Sequence, residues 1–226
     1  MKSCQQHASA CRADEGTLAP ATRWSCRQQG FTLLEAIITV VIIAIVTSIG
    51  IMALGNTMRT MHADTGCQAT MQVLRLARQY AIDQRVSVRV TFNTPTSGLH
   101  SMTTERMVPL AAPILYTQIP LQSDVQFFAD PSFPIPPNTP DGIGGGKTAV
   151  DFEDGFSPTP VTQVYFLPDG SAQNAAGNTV NGVVYIEQTG YWQGARAVTL
   201  FGATGRVRRW QMAPASAGGF AWQTLQ

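Results

Sequence analysis

The chain is poor in the residues that carry most side-chain chemistry. Of 226 residues three are histidine and four are cysteine. His62 and His100 are the only histidines beyond residue 30, and neither belongs to a cluster with metal-ligand spacing, so hydrolase and metal chemistry find no support. Cys4, Cys11 and Cys26 fall within the first thirty residues, which leaves Cys67 alone in the remainder. One cysteine cannot close an internal disulfide. Cys67 lies inside a helical pattern and reads as a small packing residue rather than a nucleophile. Acid is missing from the C-terminal end: none follows Glu187, whereas Arg196, Arg206, Arg208 and Arg209 do. No cofactor and no enzymatic activity are expected.

Charge is missing from another place, Ala36 to Leu54, nineteen residues without an ionisable side chain. About 20 apolar residues at 1.5 Å each match a hydrocarbon core of roughly 30 Å, so this run is long enough to cross a bilayer as a helix. Lys2, Arg12, Arg23 and Arg27 precede it and place its N-terminal side in the cytoplasm by the positive-inside rule. Everything after Leu54 is then expected outside the cytoplasm. Glu35 stands at the rim of the run, where a carboxylate is costly enough to be a functional candidate by default. A plain single-span anchor gives no reason for it. A secretory signal fits worse, because its apolar core is shorter, about 7–15 residues, and no small-residue cleavage site is evident at the end of this one.

Gly30-Phe31-Thr32-Leu33-Leu34-Glu35 ahead of an apolar helix resembles the processing motif of type IV pilins and pseudopilins. The resemblance implies that a prepilin peptidase and methyltransferase cuts after Gly30 and N-methylates Phe31. It also implies that Glu35 pairs with the N-terminal amine of a neighbouring subunit. A carboxylate paired with a cation is tolerable in lipid where a lone one is not, so burial favours the assembled fibre. Residues 1–30 are then a leader. Removing them takes Lys+Arg from 15 to 11 and Asp+Glu from 14 to 12, a net charge of −1.

The expected fold class is α+β, a long N-terminal helix, membrane-spanning in its first half, packed on an antiparallel β-sheet domain. The helix spans the membrane over 31–55 and continues as an amphipathic segment over 56–85. Met58, Met61, Thr65, Ala69, Val73, Leu76 and Tyr80 recur at spacings of three and four and are expected to form the face that packs on the outer domain. Gln68, Gln72, Arg75 and Gln79 fall mostly opposite. No proline occurs between Phe31 and Thr94, so a helix reaching Gln84 would be about 80 Å long. Gly50, Gly55 and Gly66 are its weak points, each costing roughly 1 kcal/mol against alanine.

Residues 86–226 are expected to form one extracytoplasmic β-domain. The apolar period switches to two at Val86, Val88, Val90 and Phe92. Further strands are expected at Ile114–Ile119, Val125–Phe128, Val164–Leu167, Val183–Glu187, Ala197–Phe201 and Arg206–Gln211. Pro168-Asp169-Gly170 and Ala203-Thr204-Gly205 supply turn chemistry between them. Residues 131–160 hold seven prolines and five glycines and read as a surface loop. The order helix, Val-Arg-Val strand, Phe166 to Ser171 (F-L-P-D-G-S) and Thr204 to Arg209 (T-G-R-V-R-R) resembles the minor pseudopilin H (GspH) and FimT group. That group's members are low-abundance subunits of type II secretion or type IV pilus fibres, which implies other pilin subunits and the inner membrane as partners.

Three stretches invite a chemical reading. Gly142 to Thr148 suggests a phosphate-binding loop, but the pattern needs glycine where Asp141 stands, and no helix pattern follows, so the glycines read as a flexible loop. Asp151, Glu153 and Asp154 do not have the spacing of an EF-hand and read as a solvated acidic loop. Arg206 and Arg208, two apart on a strand, would present guanidinium groups on one face about 6.7 Å apart, with Arg209 opposite and Trp210 beside them. Guanidinium forks suit phosphate oxygens, and G-R-V-R resembles the run in FimT-type minor pilins that bind DNA during natural transformation. The alternative is that these arginines keep an edge hairpin soluble.

Overall fold

The computed structural model describes residues 32–136, 138–145, 147–153, 161–216 and 218–225, without the side chains at 49–57 and 59. The expected leader, with Gly30 at its end, and Phe31 after it lie outside the described residues. The chain divides into two compact units at 47/48. In the first, the described residues are helical from Leu33. Helix α1 runs over Leu33–Gln84.

The second unit is α+β, with every strand pair antiparallel. Its strands are β1 (Val88–Asn93), β2 (Ser101–Arg106), β3 (Ile114–Pro120), β4 (Val125–Phe127), β5 (Val150–Asp151), β6 (Gln163–Phe166), β7 (Ala172–Gln173), β8 (Gly182–Gln188), β9 (Tyr191–Phe201), β10 (Arg206–Pro214) and β11 (Phe220–Leu225). One sheet has the order β3-β2-β1-β6-β7, the other β11-β10-β9-β8-β4, with β5 also paired to β8. Four strands have no counterpart in the expected set: β2, β5, β7 and β11.

The outer half of α1 packs against these sheets, and of the expected face only Val73, with Ala69 partly, lies in the contact. Met58, Met61, Leu76 and Tyr80 are exposed, whereas Ala63, Cys67, Leu74, Ala77 and Ala81 are buried, with Thr70 among them. The period is right and the phase is off by one residue, a rotation of about 100°. Small side chains face the sheets because the helix lies close to them: a Cβ on Gly66 would stand 3.2 Å from Val125 Cγ1. The core joins Val73 and Leu74 of the helix to Val90, Phe92, Val164, Phe166, Ile186 and Leu200 of both sheets. Arg196 fastens the same helix, its Nε donating to Asp64 at 2.6 Å and its Nη1 to the Gly194 carbonyl at 2.8 Å.

Strand β8 is buried on both faces. Val184 and Ile186 point into the main core, while Val183 and Tyr185 belong to a second cluster with Phe133, Ile143, Met212 and Trp222. Phe133 and Ile143 come from the proline- and glycine-rich segment, which corrects its reading as a surface loop. Its described residues cover the outer face of the second sheet and also contribute Val150 and Phe152, both fully buried. Gly144 is correspondingly constrained: a Cβ there would stand 2.6 Å from Val183 Cγ1. Asp151 is fully buried rather than solvated, and it accepts the Glu153 amide at 2.9 Å. Asp154 lies outside the described residues.

Candidate functional site

Two surfaces carry the candidate residues, one in each unit. In the first, Thr32 precedes the helix and its Oγ1 accepts the Glu35 amide at 3.3 Å, while its carbonyl accepts the Ala36 amide at 3.1 Å. T-x-x-E is the pattern of a capping box, and an acid in the first turn also meets the positive end of the helix dipole. Glu35 therefore sits where its carboxylate helps the helix begin. Among the described residues none forms an ion pair with it, and it is exposed.

Downstream of Glu35 the helix is apolar all round. Val40, Val41, Ile42 and Ile43 are consecutive, so they cover the whole circumference, and all four are more than half exposed. Thr39 and Thr47 hide their hydroxyl donors by bonding back to the carbonyls of Ala36 and Ile43, at 2.9 and 2.6 Å. A helix with no polar face and no spare donor calls for lipid or other helices around it. Among the described residues no helix is long and apolar enough to cross a membrane. The expected span over 31–55 continues into the side chains at 49–57, which are not described.

The second surface is the start of β10. Arg206 and Arg208 are exposed on one face, and Val207 between them is buried. Their guanidinium groups are differently engaged. Arg208 donates to Asp141 at 2.8 Å. Asp141 also accepts the Thr199 hydroxyl at 2.6 Å, and Thr199 accepts the Trp210 indole N–H at 3.1 Å. The charge of Arg208 is thereby matched and the Trp210 donor is committed. Arg206 lies over the Phe201 ring, 5.7 Å from its centroid, a cation–π distance. Arg209 is half-buried on the opposite face, near enough to Cys67 to favour its thiolate electrostatically.

What the strand pattern could not reveal is that α1 supplies two more arginines beside Arg206. Arg75, Arg78 and Gln79 line one side of a depression of about 380 Å³, and Thr204, Gly205, Arg206 and Val207 line the other, with no carboxylate among the described residues of the lining. Arg78 is held there by donating its Nε to the Gly170 carbonyl at 3.1 Å. The Asp169-Gly170 and Thr204-Gly205 turns pack on it from two sides, each with its glycine at positive φ. Arg75 and Arg78 are three apart and share a helix face, the only trace of this arrangement in the sequence.

The remaining reactive groups are placed as structure. The Cys67 thiol is buried and pushed up to about 12 by that burial, so it is not a nucleophile near neutral pH. His62 Nδ1 lies 2.7 Å from Asp124, which also accepts the Gln188 amide at 3.0 Å. Partial burial opposes ionisation of Asp124, but hydrogen bonds from His62, its own backbone and Gln188 keep its carboxyl below the usual range. Glu187 is buried on the outer face of β8, and desolvation, with the charge of Asp130 adding, raises it to about 7. Among the described residues no three His, Cys, Asp or Glu side chains are grouped to hold a metal ion.

Residues 25–51 match the family model of the prokaryotic N-terminal methylation motif. No curated protein matches the chain. The minor pseudopilin EpsH from the type 2 secretion system of Vibrio cholerae is 14% identical over 72% of this chain and 97% of its own, with a TM-score of 0.33. The type IV minor pilin FimU of Pseudomonas aeruginosa strain PAO1 is 14% identical over 73% of this chain and 92% of its own, with a TM-score of 0.40. At such values the likeness decides neither the detailed fold nor the activity of this chain.

Proposed function

We propose that this chain is a minor pilin-like subunit of a type IV pilus or a type II secretion pseudopilus, a structural component and not a catalyst. The observation that carries the reading is the N-terminal methylation motif over 25–51, supported by an apolar helix headed by the capped Glu35. Prepilin peptidase and methyltransferase would cut after Gly30 and methylate Phe31. The first part of α1 would anchor the chain in the inner membrane with its N-terminus cytoplasmic, leaving the β-sheet unit in the periplasm until other pilin subunits incorporate it. Mass spectrometry of chain recovered from the membrane fraction should find Phe31 as an N-methylated N-terminus. A chain that retains its first thirty residues in a cell with active prepilin peptidase would sink the reading.

A second reading, a pilus-displayed DNA receptor, is favoured by one observation, the acid-free depression where Arg75 and Arg78 meet Arg206. The pairing of Arg208 with Asp141 weighs against it, since a neutralised guanidinium adds little to phosphate binding. If the reading holds, the full chain in detergent binds duplex DNA at low salt, and Arg75→Gln with Arg206→Gln lowers the slope of log affinity against log salt by about 2, one counterion per lost contact. No binding at low salt leaves these arginines as surface residues.

A further inference from the structure

A second cleft of the β-sheet unit shares no lining residue with the depression at Arg206. It has a volume of about 520 Å³ and opens between the loop after β1, strand β4 and the segment leading into β5, a size ordinary for small-ligand sites. We infer that it binds a carboxylate borne on an apolar residue, such as the C-terminus of a polypeptide or a small acylated amino acid.

The charge of the lining supports an anion. Among the described residues of the lining Lys147, which is exposed, is the one charged side chain, and no Asp or Glu contributes. Asp151, two residues beyond the lining residue Ala149, is fully buried and taken up by the Glu153 amide and the Thr148 hydroxyl. His100 adds a directed donor. Its Nδ1 accepts the Phe127 amide at 3.1 Å, so the neutral ring carries its proton on Nε2. Burial lowers the pKa of His100, which keeps it a neutral donor near pH 7 rather than a second cation. Threonine hydroxyls at 94, 96 and 162 and the Gln126 amide complete a set rich in uncharged hydrogen-bonding groups.

The apolar part of the lining selects what carries the anion. Phe127 is buried, its ring 5.7 Å from that of His100, and Phe128 is left 40% exposed beside it. Pro95, Ala149 and Val150 extend this wall. A single lysine with neutral donors matches one negative charge. A phosphate at neutral pH would call for a guanidinium fork or further cations, and a bare inorganic anion would gain nothing from the aromatic wall. A terminal carboxylate with an apolar side chain uses both halves of the cleft.

The test uses the full chain in detergent micelles and fluorescence anisotropy of an N-terminally labelled hexapeptide ending in leucine with a free carboxylate. The same peptide amidated at its C-terminus controls for binding to the micelle. The acid is expected to bind about tenfold or more tightly than the amide, and Lys147→Gln to bring the acid down to the level of the amide. Lys147 is exposed, so this variant folds. Displacement by N-acetyl-leucine would identify small acids as ligands, and failure to displace would identify a polypeptide terminus. Equal affinity for acid and amide, an unaffected Lys147→Gln variant, or no binding up to about millimolar peptide overturns the proposal. None of these outcomes touches the assembly reading, which rests on the N-terminal helix.

Discussion

Glu35→Ala is expected to leave the chain in the membrane fraction and to lower its recovery in sheared fibres, or its complementation of an assembly defect, at least about tenfold. In an isolated protomer the Glu35 carboxylate is exposed at the head of an apolar helix, and moving it into lipid or between helices without a cation is unfavourable by several kcal/mol. The proposed pairing with the N-terminal amine of a neighbour would remove that cost only in the assembled fibre. Alanine abolishes both the cost and the attraction, so insertion survives and registration is lost. A pair worth about 3 kcal/mol would alone change incorporation by more than a hundredfold. Glu35→Gln separates helix capping, seen at Thr32, from the proposed pairing with a neighbour. Glutamine satisfies a capping box as glutamate does, but it carries no charge. Glutamine should therefore assemble as poorly as alanine; if it assembles like the wild type, Glu35 acts through helix initiation and the proposed pairing is wrong.

Gly205→Ala is expected to destabilise the β-sheet unit by about 3 kcal/mol, a fall in Tm of about 6–12 °C for a unit of this size. Two costs combine. Gly205 has φ +62, where a Cβ is strained, and that Cβ would stand 2.3 Å from the Gly170 carbonyl oxygen and 2.5 Å from Arg78 Nε. The first of these neighbours is backbone and cannot turn aside. Gly190 supplies the control, since it has φ +76 with nothing within 4 Å of the added carbon. Gly190→Ala should cost only the conformational part, about 1 kcal/mol. Thermal unfolding of both variants isolates the packing contribution. Equal shifts would mean that the two turns do not pack on Arg78 as described. Because Arg206 follows the same turn, Gly205→Ala should also weaken whatever the Arg75, Arg78 and Arg206 cluster binds.

Local pattern and tertiary placement divide clearly in this chain. Strands with regular apolar alternation, such as Val88, Val90 and Phe92 on β1, were legible, because a period of two already separates a core face from an outer one. Strand β2, Ser101–Arg106, was not, since of its buried residues Ser101, Met102 and Thr104 only the methionine carries an apolar signal. Strand β5 is two residues long and exists through its pairing with β8. The helical period of residues 58–81 was visible but its phase was misread. Hydrophobicity favours methionine, leucine and tyrosine for the buried face, whereas close approach to the sheets selects glycine, alanine and cysteine.

By itself the sequence determined the uncharged run behind Glu35 and an α+β chain with strands after residue 86. Each of these depends on neighbours within a few residues, and composition and period report such interactions directly. Only the tertiary structure decided that Phe133 and Ile143 of the proline- and glycine-rich segment cover a sheet rather than hang from it. It also decided that Asp141 neutralises Arg208 across 67 positions, and that Arg75 and Arg78 meet Arg206 around one turn. Contacts between residues so far apart in the chain are set by how the sheets and helix pack, and no local spacing encodes that packing.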